Sequence, residues 1–225
     1  MLTTVIFDLD GLLADSEPLH CRAYQDVLLA NGAVLSETEY VDHWVRTGKG
    51  IVDWLGSHGL ALDPQEIRKQ KSQRYLELIA TSLHPMEGAV DLLESLHGNK
   101  RLALASSSYP DAVEGVLKVL EIARYFCVVV SGLDVTSVKP APDIFLAAAD
   151  RAGATPSECI VLEDAEKGVI AAFRAGIPCI AVPNAFTCHH DFSKASRVFS
   201  SLKEITIEVL EHTAIVNYPA RSSRY

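Results

Sequence analysis

The sequence predicts an α/β fold, a doubly wound parallel sheet whose first strand is followed by an all-helical insert. Three observations carry this. After Pro85, short apolar runs alternate with helical patterns, the texture of strands joined by crossover helices. Between Ala14 and His84 no convincing strand occurs. The opening run, Thr3-Thr4-Val5-Ile6-Phe7-Asp8-Leu9-Asp10-Gly11, reads as a buried strand ending in two carboxylates, with Gly11 suited to a tight bend. The expected division is a core of residues 1–14 and 85–225 and an insert of residues 15–84.

Within the insert, Pro18 is placed to open a helix that runs to Gly32, with Leu19, Tyr24, Val27 and Leu28 as its buried face. Ser36 and Glu39 have capping-box spacing ahead of a second helix. Residues 51–58 form a third, closed by Gly59. Asp63-Pro64-Gln65-Glu66 combines an N-cap, a first-turn proline and an acid. The helix it starts is expected to reach about residue 81, with Ile67, Lys71, Tyr75, Leu78 and Ile79 along one side.

In the core, residues 88–97 are helical in pattern, and 102–105 form a strand running into Ser106-Ser107-Ser108. Residues 111–120 read as a helix, 127–130 as a strand, and 142–152 as a helix stopped near Gly153. A capped turn at 155–158 precedes a strand at 160–162, which runs into Glu163 and Asp164. A helix at 167–175 stops at Gly176, a strand follows at 179–182, and a helix at 202–210 closes the chain. The layout is Rossmann-like. The polar tail, 213–225, ends near Arg221 and Arg224 and carries no further reading.

A net charge of −9 over 225 residues argues against a nucleic-acid partner, which calls for a basic stripe. A small phosphate stays open, because a metal and one lysine can reverse the sign locally. The five cysteines show no CxxC spacing and read as buried free thiols of a reducing compartment. No apolar run reaches the roughly 18 residues of a membrane span. No basic segment precedes the first apolar stretch, so no signal peptide is read. A cytoplasmic monomer with no membrane partner is expected.

Parallel strands bring their carboxyl ends to one edge, where open α/β sheets bind ligands. Standing there are Asp8 and Asp10, Ser106 to Ser108, Ser131, and Glu163 and Asp164, with Lys139 in the following loop Val138-Lys139-Pro140-Ala141-Pro142-Asp143. Any one of them is an ordinary turn or cap residue. Four carboxylates on one edge, however, repel unless a cation neutralises them. Oxygen-only ligands point to Mg²⁺.

Asp8-Leu9-Asp10-Gly11, Ser106 after its strand, Lys139-Pro140 and Glu163-Asp164 resemble the four motifs of the haloacid dehalogenase superfamily. The insert is similar to that family's C1 cap. Asp15-Ser16-Glu17-Pro18-Leu19-His20 and Lys139-Pro140-Ala141-Pro142-Asp143-Ile144-Phe145 resemble its β-phosphoglucomutase and sugar-phosphatase branch. The resemblance runs to about Leu210. It implies that Asp8 is a nucleophile forming an aspartyl-phosphate and that Asp10 is the general acid and base. It implies Mg²⁺ on Asp8, the Asp10 main-chain carbonyl and Asp164, with Glu163 bound directly or through water. Ser106 and Lys139 are implied to hold phosphoryl oxygens, with Ser107 and Ser108 beside them as substrate contacts. The second aspartate, Asp10, goes with phosphoryl transfer rather than carbon–halogen cleavage.

The same resemblance puts substrate choice in the cap. His20 and Lys71 fall where β-phosphoglucomutases keep supporting and sugar-contacting residues. Arg46 and Lys49 flank Gly48 in what reads as a specificity loop, near where the mutases place an arginine for a second phosphate. After the serines the mutases carry a lysine and an asparagine, whereas this chain has Tyr109-Pro110. The leading expectation is a Mg²⁺-dependent phosphatase of a small phosphorylated metabolite, a sugar phosphate first. The alternatives are a β-phosphoglucomutase-type isomerase and a receiver-type switch domain, although the latter carries its phosphorylated aspartate on a third strand.

Overall fold

The structure is a computed structural model that describes residues 1–216. Six strands are found among these residues: β1 (Thr4–Phe7), β2 (Arg101–Ala105), β3 (Val128–Val130), β4 (Cys159–Glu163), β5 (Cys179–Ala181) and β6 (Arg197–Val198). They form one sheet in the order β3-β2-β1-β4-β5-β6, and every pairing is parallel. The chain builds outward from β1 to β3, then returns to β1's other side with β4. That reversal is the switch point at which such sheets open a crevice. Phe7 lies opposite Leu104 on one side and Leu162 on the other, so Asp8, Ser106 and Glu163 leave the sheet at nearly the same level.

Alternation along the strands builds two cores. Val5, Phe7, Leu104 and Leu162 face α5 (Ala89–Leu96), α6 (Pro110–Val119) and α9 (Ile207–Val216). Ile6, Ala103, Val161 and Cys179 face α7 (Asp143–Arg151) and α8 (Glu166–Ala175). The near-continuous apolar strands thus reflect burial on both faces.

The sequence missed β6, a two-residue edge strand whose side chains are both exposed; it has no periodicity to read. The expected closing helix at 202–210 is corrected too. Ser201 and Glu204 cap a short 3₁₀ turn at Leu202–Glu204. Ile205 then leaves the helical conformation, and Thr206 Oγ1 accepts from Val209 N to start α9. Residues 213–216, read as tail, are its last turn, and the remaining tail lies outside the described residues. Among the described residues no helix is long and apolar enough to cross a membrane.

The helical region between β1 and α5 comprises α1 (Glu17–Ala30), α2 (Glu37–Tyr40) continued by wider π turns at Val41–Arg46, α3 (Ile51–Ser57) and α4 (Pro64–Ser82). Its helices start where local chemistry says they should. Ser36 and Glu39 form a reciprocal capping box, and Asp63 accepts from Gln65 N. The region has its own apolar cluster around Tyr40, Trp54, Leu55 and Ile67. The second half of α4 leaves that cluster, and Tyr75 and Ile79 join the core under α6. Gly115 permits the approach, since a Cβ there would stand 2.8 Å from Ile79 and 2.9 Å from Leu76. The two connecting segments also bond each other, Asp15 N to His84 O at 3.0 Å and Met86 N to Leu13 O at 2.9 Å.

Ile79 is therefore a joint between the two apolar bodies and is 1% exposed. Ile79→Ala is expected to cost about 2–5 kcal/mol, read as a lower urea midpoint with unchanged m. A loss well under about 1 kcal/mol would show the joint is not packed as described.

Candidate active site

The centre of the carboxyl edge is a buried ionic bridge. Lys139 Nζ donates to Asp8 Oδ1, to Glu163 Oε1 at 2.7 Å and to the Ala105 carbonyl at 2.9 Å. Glu163 Oε2 is held in turn by the amides of Asp164 (2.9 Å) and Ala165 (3.0 Å) where the chain turns into α8. The fit is tight: a Cβ on Gly168, one turn into α8, would lie 1.7 Å from Glu163 Oε1. Asp164 sits beside this group, its Oδ2 accepting from Asn184 Nδ2 at 2.8 Å. Asn184 Nδ2 also donates to the Gly11 carbonyl at 2.9 Å. Gly11 has φ +84°, and a Cβ there would come within 2.5 Å of Asp164 Oδ2, so both conformation and space require glycine.

Oxygens of Asp8, Glu163 and Asp164, all buried, lie within 4.8 Å of one another and could hold a metal ion. One lysine does not balance three carboxylates. Burial, then the charges of Glu163 and Asp10, lifts Asp8 to about 7 against the pull of Lys139. Burial, then Glu163 and Asp8, raises Asp164 well above the carboxylate range. Burial alone would lower Lys139, but Asp8 and Glu163 hold it above its ordinary value. A divalent cation would relieve the first two shifts, and an all-oxygen donor set suits a hard one.

Asp10 turns the other way. Its Oδ1 accepts from Ser16 Oγ (2.7 Å) and pairs with His20 Nε2 (3.2 Å). Its Oδ2 accepts from Ser106 Oγ (3.2 Å) and Ser108 Oγ (2.7 Å). Burial pushes this carboxyl up, but the hydrogen bond and charge of His20 and the bonds from Ser16 and Ser108 hold it below the usual range. Any share of Asp10 in a metal site would thus fall to its main-chain carbonyl. Lys71 Nζ lies 2.5 Å from His20 Nδ1, so Lys71, His20 and Asp10 stand in one line. The imidazole stacks on Tyr75 with ring centres 3.9 Å apart, and the Lys71 ammonium stands 4.6 Å over the same ring. Burial lowers Lys71 to about 8 despite Asp10, Glu17 and Asp111.

These groups open onto one cleft of about 310 Å³ between the sheet edge and the helical region, sized for a small metabolite. Of the residues singled out in the sequence, Asp8, Asp10, His20, Lys49, Lys71, Ser106, Ser107, Ser108, Lys139, Glu163 and Asp164 line it. Ser107 Oγ is buried without a hydrogen-bond partner. Arg46 does not line the cleft; its exposed guanidinium pairs with Asp42, one turn back, at 3.2 Å. Ser131 also serves locally, donating to Asp134 at 2.6 Å.

Sequence reading missed Ser16, Glu17, Arg68 and Asn184. Ser16 and Glu17 lie inside the Asp15-to-His20 stretch, in which the resemblance points to the histidine alone. Arg68 precedes Lys71 by one turn of α4, on the same face. Asn184 stands just past β5, at the same carboxyl edge as the acids.

Residues 2–176 match the family described as haloacid dehalogenase-like hydrolase. The chain is 32% identical over 184 residues to the fructose-1-phosphate phosphatase YqaB of Escherichia coli, covering 79% of this chain and 95% of that protein. Among solved structures it is similar to CbbY of Rhodobacter sphaeroides in complex with phosphate, with a TM-score of 0.86 and 28% identity over 94% of this chain and 100% of that one. A mutant of the same protein in complex with xylulose-(1,5)bisphosphate aligns with a TM-score of 0.84 and 29% identity, over 91% and 96% of the two chains.

Gly168→Ala tests the packing of Glu163. In a helix interior that exchange ordinarily stabilises by about 0.5–1 kcal/mol. Here the new methyl collides with a buried carboxylate, so a lower urea midpoint and weaker Mn²⁺ binding are expected. A more stable protein with unchanged Mn²⁺ affinity would contradict the geometry.

Proposed function

Because the chain belongs to the haloacid dehalogenase-like hydrolases, we propose that it is a Mg²⁺-dependent phosphatase of a small phosphorylated metabolite, a sugar phosphate first. The observation that carries this is the division between two aspartates one residue apart. Asp8 lies in the acid cluster against Lys139, while Asp10 is bonded to His20 and three serines. In this reading one attacks and the other moves protons. Asp8 and Asp164 would hold Mg²⁺ with the Asp10 carbonyl. Glu163, whose oxygens are taken by Lys139 and two amides, supports from outside. When bound, the ion neutralises phosphoryl charge and keeps Asp8 ionised.

In this reading Asp8 Oδ attacks phosphorus as the bond to the sugar oxygen breaks, giving an aspartyl-phosphate. Lys139, Ser106 and Ser107 hold the other phosphoryl oxygens. Asp10 gives a proton to the leaving oxygen and then takes one from water, which releases phosphate from Asp8. Lys71 and His20 give Asp10 a route to its proton: Lys71 Nζ to His20 Nδ1, then His20 Nε2 to Asp10. Residues 15–84 act as the cap over a core that, among the described residues, comprises 1–14 and 85–216. Its Glu17, Lys49 and Arg68 line the cleft and are assigned to the rest of the substrate. The similarity to a fructose-1-phosphate phosphatase supports the sugar-phosphate class.

A second reading, a β-phosphoglucomutase-type isomerase, is favoured by that same Lys71–His20–Asp10 line, which could return a proton to a sugar hydroxyl. Against it stand Tyr109 and Pro110, which opens α6, where the mutases carry a lysine and an asparagine.

A panel of sugar phosphates with Mg²⁺ separates the two, following inorganic phosphate and glucose 6-phosphate together. Phosphate release from several esters is expected; glucose 6-phosphate accumulating from β-glucose 1-phosphate with little free phosphate would establish the isomerase. Asp8→Asn, nearly isosteric, should abolish turnover with the fold intact, whereas Asp10→Asn should slow it roughly 10²–10⁴-fold. Full activity in excess EDTA would rule out the metal.

A further inference from the structure

The apolar cluster of the helical region is built from residues between Cys21 and Ile67, with one exception among the described residues. Phe186, from the loop after β5, packs against it. This contact is separate from the α4–α6 joint, and its loop is not free. Asn184 Nδ2 is fastened to Asp164 and to the Gly11 carbonyl. Asn184 Oδ1 accepts from Phe186 N at 2.8 Å, and Thr187 Oγ1 accepts from Asn184 N at 3.0 Å. Thr187 N returns to the Asn184 carbonyl at 3.1 Å, and its buried side chain lines the cleft. Four residues therefore form a closed turn with a carboxylate of the acid cluster at one end and a side chain seated in the helical region at the other.

We propose that Asn184 and Phe186 are positioning residues that form a strap. Asn184 fixes Asp164 for metal binding, and Phe186 seats the helical region over the cleft. The first half rests on the reading of Asp164 as a metal ligand. A ligating carboxylate needs its remaining lone pairs held, and outer donors of this kind typically govern affinity by 10–100-fold (an order-of-magnitude range). For the second half, the region is otherwise tied to the core by two linkers, the α4–α6 joint and the contacts of α1 with Asp10 and the main core. A half-buried aromatic on its far cluster adds roughly the transfer energy of its covered area. Because one turn carries both residues, loosening Asn184 also loosens the seat.

Mn²⁺ affinity by electron paramagnetic resonance, small-angle scattering and steady-state kinetics on the full chain test this together. Asn184→Ala is expected to weaken Mn²⁺ binding about tenfold. Phe186→Ala should leave Mn²⁺ affinity unchanged, enlarge the radius of gyration, and raise KM roughly fivefold with little change in kcat. Phe186→Leu should recover most of the KM. If Asn184→Ala does not fold, Asn184→Asp, which sets an acceptor against Asp164, gives the same affinity readout. Wild-type Mn²⁺ affinity in the Asn184 variant, or wild-type KM and radius of gyration in Phe186→Ala, overturns the strap. A parent protein that binds no Mn²⁺ fails the metal reading instead, and the scattering comparison still decides the seat.

Discussion

The structure depends on a lysine buried between two carboxylates. Lys139 is 6% exposed, Asp8 7% and Glu163 1%, so the three charged groups sit out of water against one another. Each partner is itself held from outside: Glu163 by two amides and the space Gly168 leaves, Lys139 by a carbonyl. Desolvating such a group costs several kcal/mol per ion, which makes it poor evidence of stability. On the proposed function it is better understood as preorganisation, with positive charge already where a phosphoryl oxygen would come and the proposed nucleophile beside it.

The helical region supplies what the sheet cannot. A strand end presents Asp8 and Asp10 with only Leu9 between them, and a shared environment would leave them equivalent. The turn at Gly11 separates them, and α1 brings Ser16 and His20 to Asp10 alone. α4 then completes the set by laying Lys71 on His20. The two carboxylates end with opposed contacts, Asp8 in the acid cluster against Lys139 and Asp10 ringed by serine hydroxyls and His20, so they are no longer equivalent. The cleft exists only where these two bodies meet.

Much of this is written in short stretches of sequence because its causes are local. Ser36 with Glu39 and Asp63 with Pro64 start helices by their own hydrogen bonds, and β-branched runs name the buried strands. The carboxyl edge follows from topology, so residues far apart in sequence could be assembled before any contact was known. Other features have no local cause. The approach of Lys71 to His20 joins positions 51 apart across two helices and is invisible to spacing, although resemblance pointed to both residues. β6 is too short to show alternation. Asn184 stands at the same edge, but a neutral amide after a short apolar run does not signal a metal or phosphate site. Arg46 carried its own warning in Asp42 four residues earlier, the spacing of a solvent-facing helical pair.

The central claim is that Asp8, and not Asp10, carries the phosphoryl group. The most direct measurement is borohydride reduction of protein quenched during turnover of a sugar phosphate with Mg²⁺, followed by peptide mapping. An acyl phosphate is reduced to an alcohol, so homoserine at position 8 with an intact Asp10 is the outcome this account requires. Reduction at position 10, or steady turnover with no reducible aspartate, would contradict it.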